Sequence, residues 1–109
     1  MLFRSRVSDL SVLREVRKRV LADPDASDLV GATHGNAVSI YFRDPEGNRL
    51  EVFIDTPWYC EQPLRETLDF DQDDDGIMAF AEQLARSRPK FRSRDEWIGD
   101  MERLMGYRA

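Results

Sequence analysis

One histidine and one cysteine bound the chemistry open to this chain. His34 is the only imidazole and Cys60 the only thiol in 109 residues. An internal disulfide, a cysteine metal cluster and a two-histidine metal site made by this chain alone are therefore excluded. Cys60 as a nucleophile needs His34 as its base, and nothing in the spacing joins them, so an inert thiol is expected. The acids offer one further pattern. Asp71-x-Asp73-x-Asp75-Gly76, with Glu82 six residues after the glycine, fits a calcium-binding loop. Against that reading, Pro63 interrupts the helix that should enter such a loop, and no second loop is present. The same acids also suit the positive end of a helix beginning near Ile77.

A second constellation depends on a hairpin. Ala37 to Arg43 and Arg49 to Asp55 are alternating stretches separated by Asp44-Pro45-Glu46-Gly47-Asn48. Pro45-Glu46 suits the centre of a type I turn, and Gly47 the left-handed bulge position after it. Pairing Asp44 with Asn48 sets the register. Phe42 then opposes Leu50, Ile40 opposes Val52 and Val38 opposes Ile54, giving one apolar face that can cover a helix. On the other face Tyr41 lies directly opposite Glu51, and Ser39 opposite Phe53. Opposed side chains in a hairpin are close enough to interact. A solvent-facing acid and a packing tyrosine are the ordinary readings of such a pair. A phenol and a carboxylate held together also form a site candidate.

Helical spacing places Leu10, Leu13, Val16, Val20 and Leu21 on one face of a helix over residues 9–21, with Ser8 as N-cap and Pro24 beyond its end. Residues 3–7 and 28–32 are weak strands, the first because Arg4 and Arg6 do not suit a buried strand. In the tail, Ile77, Phe80, Ala81 and Leu84 share a helical face closed by Arg88-Pro89. Ser93 with Glu96 forms a capping box before a last helix striped by Trp97, Met101, Leu104 and Met105. Trp58, Tyr59 and Trp97 are expected to pack the tail on the sheet. Arg86, Arg88, Lys90, Arg92 and Arg94 form a basic cluster expected to pair internally or face solvent.

Hydrophobic residues make up 41% of the chain and charged residues 34%, a globular composition. The formal net charge of -5 argues against nucleic acid and anionic membranes as partners. No apolar run approaches a membrane span and Met1 to Arg6 lacks the apolar core of a secretion signal, so a cytoplasmic location is expected.

The order strand, helix, strand, strand, strand, and the run from Tyr41 to Phe53 with its Asp-Pro-x-Gly-Asn turn and following strand glutamate, resemble one module of the vicinal-oxygen-chelate superfamily. That superfamily includes glyoxalase I, bleomycin and fosfomycin resistance proteins, and extradiol dioxygenases. His34-Gly35 before the Tyr41 strand, with the continuation Asp55-Thr56-Pro57-Trp58-Tyr59, is similar to the C-terminal half-module of the dioxygenase branch. The resemblance implies that Glu51 is the carboxylate of a two-histidine-one-carboxylate Fe(II) site, or of one for another divalent metal. It implies that Tyr41 hydrogen-bonds a metal-bound, catechol-like aromatic substrate, and that His34 acts as a proton or hydrogen-bond partner. The family's histidine ligand on the first strand is missing, with Met1 or Leu2 in its place. Its other histidine belongs to a preceding module. The chain alone is therefore expected not to bind the metal.

The expected fold is α+β: a single βαβββ half-module over residues 1–55 with a three- or four-stranded, mostly antiparallel sheet, and an irregular linker with a two-helix extension over 56–109. The open sheet face bearing Ser39, Tyr41, Glu51 and Phe53 should need the tail, a second module or a second copy to cover it. The functional expectation is a truncated or partner-dependent ring-cleaving oxidoreductase. The alternatives are a non-catalytic dimerising or ligand-binding module of the same fold, and a calcium-binding loop protein.

Overall fold

In chain order the elements are β1 (Leu2–Arg6), α1 (Leu10–Ala22), β2 (Ser27–Thr33), β3 (Ala37–Arg43), β4 (Arg49–Asp55), β5 (Trp58–Tyr59), β6 (Glu66–Thr67), α2 (Asp74–Arg86), β7 (Arg92–Ser93) and α3 (Arg94–Leu104). The computed structural model describes residues 2–106. The fold is α+β, and its first five elements follow the βαβββ order.

The β3–β4 hairpin has the register its turn dictates. Phe42 pairs with Leu50, Tyr41 with Glu51, Ile40 with Val52, Ser39 with Phe53 and Val38 with Ile54. Gly47 adopts φ +83, which a side chain would strain, and its N–H donates to Asp44 O at 2.9 Å. The Asp44 carboxylate accepts from the backbone N–H groups of Glu46 and Asn48 at 3.0 and 2.8 Å, fixing the bend from inside.

β1 and the tail widen the sheet beyond the expected three or four strands. Five strands lie in the order β1-β4-β3-β2-β6, with β1 parallel to β4 and every other pair antiparallel. β1 forms despite its arginines because it is an exposed edge strand. It needs no apolar alternation, and its charged side chains can stand on one face. β2 runs from Ser27 to Thr33, longer than predicted, with an irregularity between Ser27 and Val30 where Asp28 takes φ +57.

α1 begins one residue later than the spacing suggests. Its N-cap is Asp9 rather than Ser8, and the Asp9 carboxylate accepts from Val12 N at 3.0 Å. Leu10 and Leu13 are buried from this helix, while Leu21 points to solvent. The core joins them to Val38, Ile40, Val52 and Ile54 of the hairpin, and to Leu68, Phe70, Ile77 and Ala81 of the tail. Residues on both sides of the expected 55/56 division thus share one core. Arg14 fastens the arrangement: its guanidinium donates to Phe70 O at 2.8 Å, Gln72 O at 2.7 Å and Asp74 at 2.6 Å. Gly31 lets the tail approach, since a Cβ there would lie 2.5 Å from Leu68 O and 2.6 Å from the Phe70 ring.

In α2 the buried stripe is Ile77, Ala81 and Ala85, and Phe80, expected to share it, is exposed. The small alanines let this helix lie close, which leaves no room for the larger ring. Ser93 caps α3 through Glu96 N at 3.1 Å, as expected. α3 has no buried residue, and Leu104 and Met105 lie exposed. It leans on the small β5–β7 sheet through the Tyr59–Trp97 stack, whose ring centroids are 4.9 Å apart. No helix among the described residues is long and apolar enough to cross a membrane.

Candidate functional site

Strand alternation puts Arg4, Glu51, Tyr41 and Val30 level with one another on the sheet face opposite α1, in four adjacent strands. Ser39 occupies the next row, opposite Phe53. Of the covers expected for this face, the tail is the one that closes it. Glu51 is 3% exposed, Ser39 fully buried and Tyr41 9% exposed, because Arg4 and the segment around Leu64 and Arg65 fold over them.

His34 reaches the row from the turn between β2 and β3. That turn is held by buried hydrogen bonds: Thr33 Oγ1 donates to Ala37 O at 2.9 Å, Gly35 N to Thr33 Oγ1 at 3.1 Å, and Thr56 Oγ1 to Gly35 O at 2.6 Å. Gly35 adopts φ +75 with its Cα against Cys60, where an added Cβ would meet Sγ at 2.7 Å. His34 Nδ1 lies 2.6 Å from Leu64 O. A carbonyl only accepts, so Nδ1 carries a proton, and in the corresponding neutral tautomer Nε2 is the acceptor. Nε2 lies 2.7 Å from the Tyr41 hydroxyl, which then donates to it, and 3.8 Å from Glu51 Oε2. The three residues singled out from the sequence therefore converge.

The surroundings set what each group can do. Burial, then the adjacent Glu51 charge, pushes the Tyr41 hydroxyl up to about 12, so it is a hydrogen-bond donor and not a base near neutral pH. The Arg65 guanidinium lies over the Tyr41 ring, 4.3 Å from its centroid. Burial opposes ionisation of Glu51, but hydrogen bonds from Arg4 and Ser39 and the Arg4 charge outweigh it and hold the carboxyl below its usual value. Arg4 Nε donates to Oε1 at 2.7 Å and Ser39 Oγ to Oε2 at 2.8 Å.

Arg4 is the residue sequence reasoning missed. The missing histidine ligand was expected at Met1 or Leu2. Met1 lies outside the described residues, and Leu2 pairs with Arg49, two positions from the glutamate. The β1 residue level with Glu51 is Arg4. A parallel partner cannot be found by counting through a turn, because a whole helix intervenes. The donors do not fit an Fe(II) centre: both Glu51 oxygens are engaged, one of them by the Arg4 guanidinium, and a second guanidinium, that of Arg65, covers the neighbouring phenol. A dication placed here would be repelled by both.

The other sequence candidates lie elsewhere. Asp73 caps α2, accepting from Gly76 N at 2.7 Å, Asp74 pairs with Arg14, and Glu82 binds Arg86 at 2.8 Å. β6, not a helix, precedes Asp71, so these acids act as a helix start rather than as the loop of a helix pair. Among the described residues no three histidine, cysteine, aspartate or glutamate side chains gather as metal ligands. Cys60 is buried, and the structure does bring it to His34, but to the backbone: Sγ lies 3.6 Å from His34 O while the ring points away. Burial pushes its thiol above the usual value. In the basic cluster, Arg86, Lys90, Arg92 and Arg94 pair with Glu82, Glu61, Asp100 and Asp55.

Comparison with family models, with curated proteins and with solved structures found no match to this chain.

Proposed function

We propose that the protein is a metal-independent small-molecule-binding module built on a vicinal-oxygen-chelate type of βαβββ scaffold. The Arg4 guanidinium supplies the positive charge that a metal supplies to the glutamate in the resembling enzymes. The observation that carries this reading is the 2.7 Å contact between Arg4 Nε and Glu51 Oε1, made by residues level on paired strands. A buried carboxylate needs a compensating charge, and here the chain provides it internally. The seat for a ligand lies beside the covered Tyr41 row, where a recess of about 410 Å³ is bordered by His34, Pro63, Leu64 and Arg65 and a smaller one by Tyr41, Arg49 and Arg65. The exposed β1 edge, with Leu2 and Phe3 uncovered, supports association with a second module or a second copy. A cytoplasmic setting agrees with a single cysteine buried as a free thiol.

A second reading keeps the ring-cleaving oxidoreductase, completed by a partner that brings its own metal ligands. It is favoured by the convergence of His34 Nε2 on Tyr41 OH at 2.7 Å and on Glu51 at 3.8 Å, the trio the resemblance names. In that setting His34 and Tyr41 would hydrogen-bond and orient a phenolic substrate, and the partner's metal would supply the oxygen chemistry. Incubating the isolated chain with Fe(II), catechol and air separates the readings. The binding-module reading predicts no oxygen uptake and no ring-cleavage product, and turnover by the chain alone would overturn it.

A further inference from the structure

The sheet face around Tyr41 carries more guanidinium groups than its acids neutralise. Arg4 is held by Glu51, Arg6 and Arg94 by Asp55, and Arg43 by Asp28 at 3.0 Å and by Gly47 O at 2.9 Å. Arg49 and Arg65 make no ion pair with an acid among the described residues, whereas Asp28, the acid that lines the recess they share, is engaged by Arg43. That recess, of about 210 Å³, lies at the Arg49 end of the sheet. Its apolar surface comes from Val30 and the Tyr41 ring, with the Asp28–Arg43 pair at its rim. This concentration of positive charge stands out on a chain whose net charge is -5.

We propose that this recess binds a small organic carboxylate, with the anionic end between Arg49 and Arg65 and an apolar ring or chain against Val30 and the Tyr41 ring. The proposal rests on the binding-module reading and names its ligand class. A guanidinium presents parallel N–H donors that match the two oxygens of a carboxylate, and two such forks on one recess fix both position and orientation. The Val30 and Tyr41 surfaces decide between an organic anion and an inorganic one, since free phosphate would leave them in water and gain nothing from them. The recess is smaller than an ordinary drug-sized pocket, so it selects a ligand of about one ring. Arg65 also lies over the Tyr41 ring at 4.3 Å. An anion drawing on Arg65 therefore couples directly to the His34–Tyr41–Glu51 row.

Benzoate, inorganic phosphate and benzyl alcohol serve as probes in titrations followed by ¹H–¹⁵N spectra of the full chain. Saturable shifts with benzoate by about 10 mM, centred on Tyr41, Arg49 and Arg65, are expected. Affinity should fall about tenfold or more in Arg49→Gln and in Arg65→Gln, which remove charge-assisted hydrogen bonds at solvent-exposed positions. Phosphate and benzyl alcohol should each bind more weakly than benzoate. Equal binding of phosphate and benzoate, benzoate affinity unchanged in both variants, or no saturable benzoate binding each overturn the carboxylate site. A Co(II) titration of the same sample reports separately on the parent reading. Absence of benzoate binding without Co(II) uptake removes only the carboxylate site, whereas Co(II) uptake at Glu51 removes the metal-independent reading itself.

Discussion

Arg4 and Glu51 stand level on neighbouring parallel strands, with the guanidinium Nε 2.7 Å from a carboxylate oxygen that is almost wholly buried. The arginine side chain is itself 54% exposed, so the pair is a buried anion closed off by a half-solvated cation. Its removal therefore costs less than breaking a fully buried pair. Arg4→Ala should destabilise the fold by about 1–3 kcal/mol, mostly through the uncompensated carboxylate. Adding Glu51→Gln to that variant should recover much of the loss. Urea unfolding of the two single variants and the double variant checks this. Strictly additive losses would show that the two residues do not interact.

The same carboxylate sets an acid limb. Hydrogen bonds and the Arg4 charge outweigh burial and hold Glu51 below the ordinary value of 4.5. A carboxyl depressed in the folded state contributes stability above its unfolded value, and that contribution is lost as pH falls through the folded value. The urea midpoint of the native chain should drop below pH 4.5 more steeply than that of Glu51→Gln. Parallel curves for the two proteins would refute the assignment.

Tyr41 sets an alkaline limb with the opposite sign. Burial and the Glu51 charge raise its hydroxyl from 10.0 to about 12, so the folded state retains a proton that the unfolded state gives up. Its contribution is complete below pH 10.0 and is lost as pH rises toward 12. Tyr41→Phe should flatten the fall in stability over that range. Loss of the His34 hydrogen bond should lower its stability at neutral pH by about 1 kcal/mol. An unchanged alkaline profile in the variant would remove Tyr41 from the network.

Gly31 tests whether the tail belongs to the core. A Cβ at this position would lie 2.5 Å from Leu68 O, a backbone atom that cannot swing aside. Gly31→Ala should cost about 1–3 kcal/mol by overpacking and should loosen Leu68 and Phe70 in amide exchange. A neutral effect would mean that the segment from Leu68 to Phe70 does not press on β2.

The hairpin register was legible because a turn of known type converts sequence distance into pairing. Tyr41 opposite Glu51 followed from Asp44, Pro45 and Gly47 alone. The βαβββ order and the Ser93 cap were legible for similarly local reasons. Arg4 was not, because its partner lies 47 residues away across a parallel crossover, and its charge argued against the strand it occupies. The cover over Tyr41 was hidden for the same reason: Leu64 and Arg65 lie in a stretch with no periodicity, and they are placed by β6 joining β2. Phe80 was misassigned because a hydrophobic stripe does not reveal that neighbouring alanines are the contact residues.

The central claim is that the chain carries its own cation at Glu51 and takes no metal there. Titrating the native chain and Glu51→Gln with Co(II), and following the ligand-field absorption of protein-bound cobalt, tests it most directly. The prediction is that neither protein develops such bands at equimolar metal. Cobalt bands in the native chain that vanish in Glu51→Gln would contradict it, since they would mean that the metal displaces Arg4 from the carboxylate.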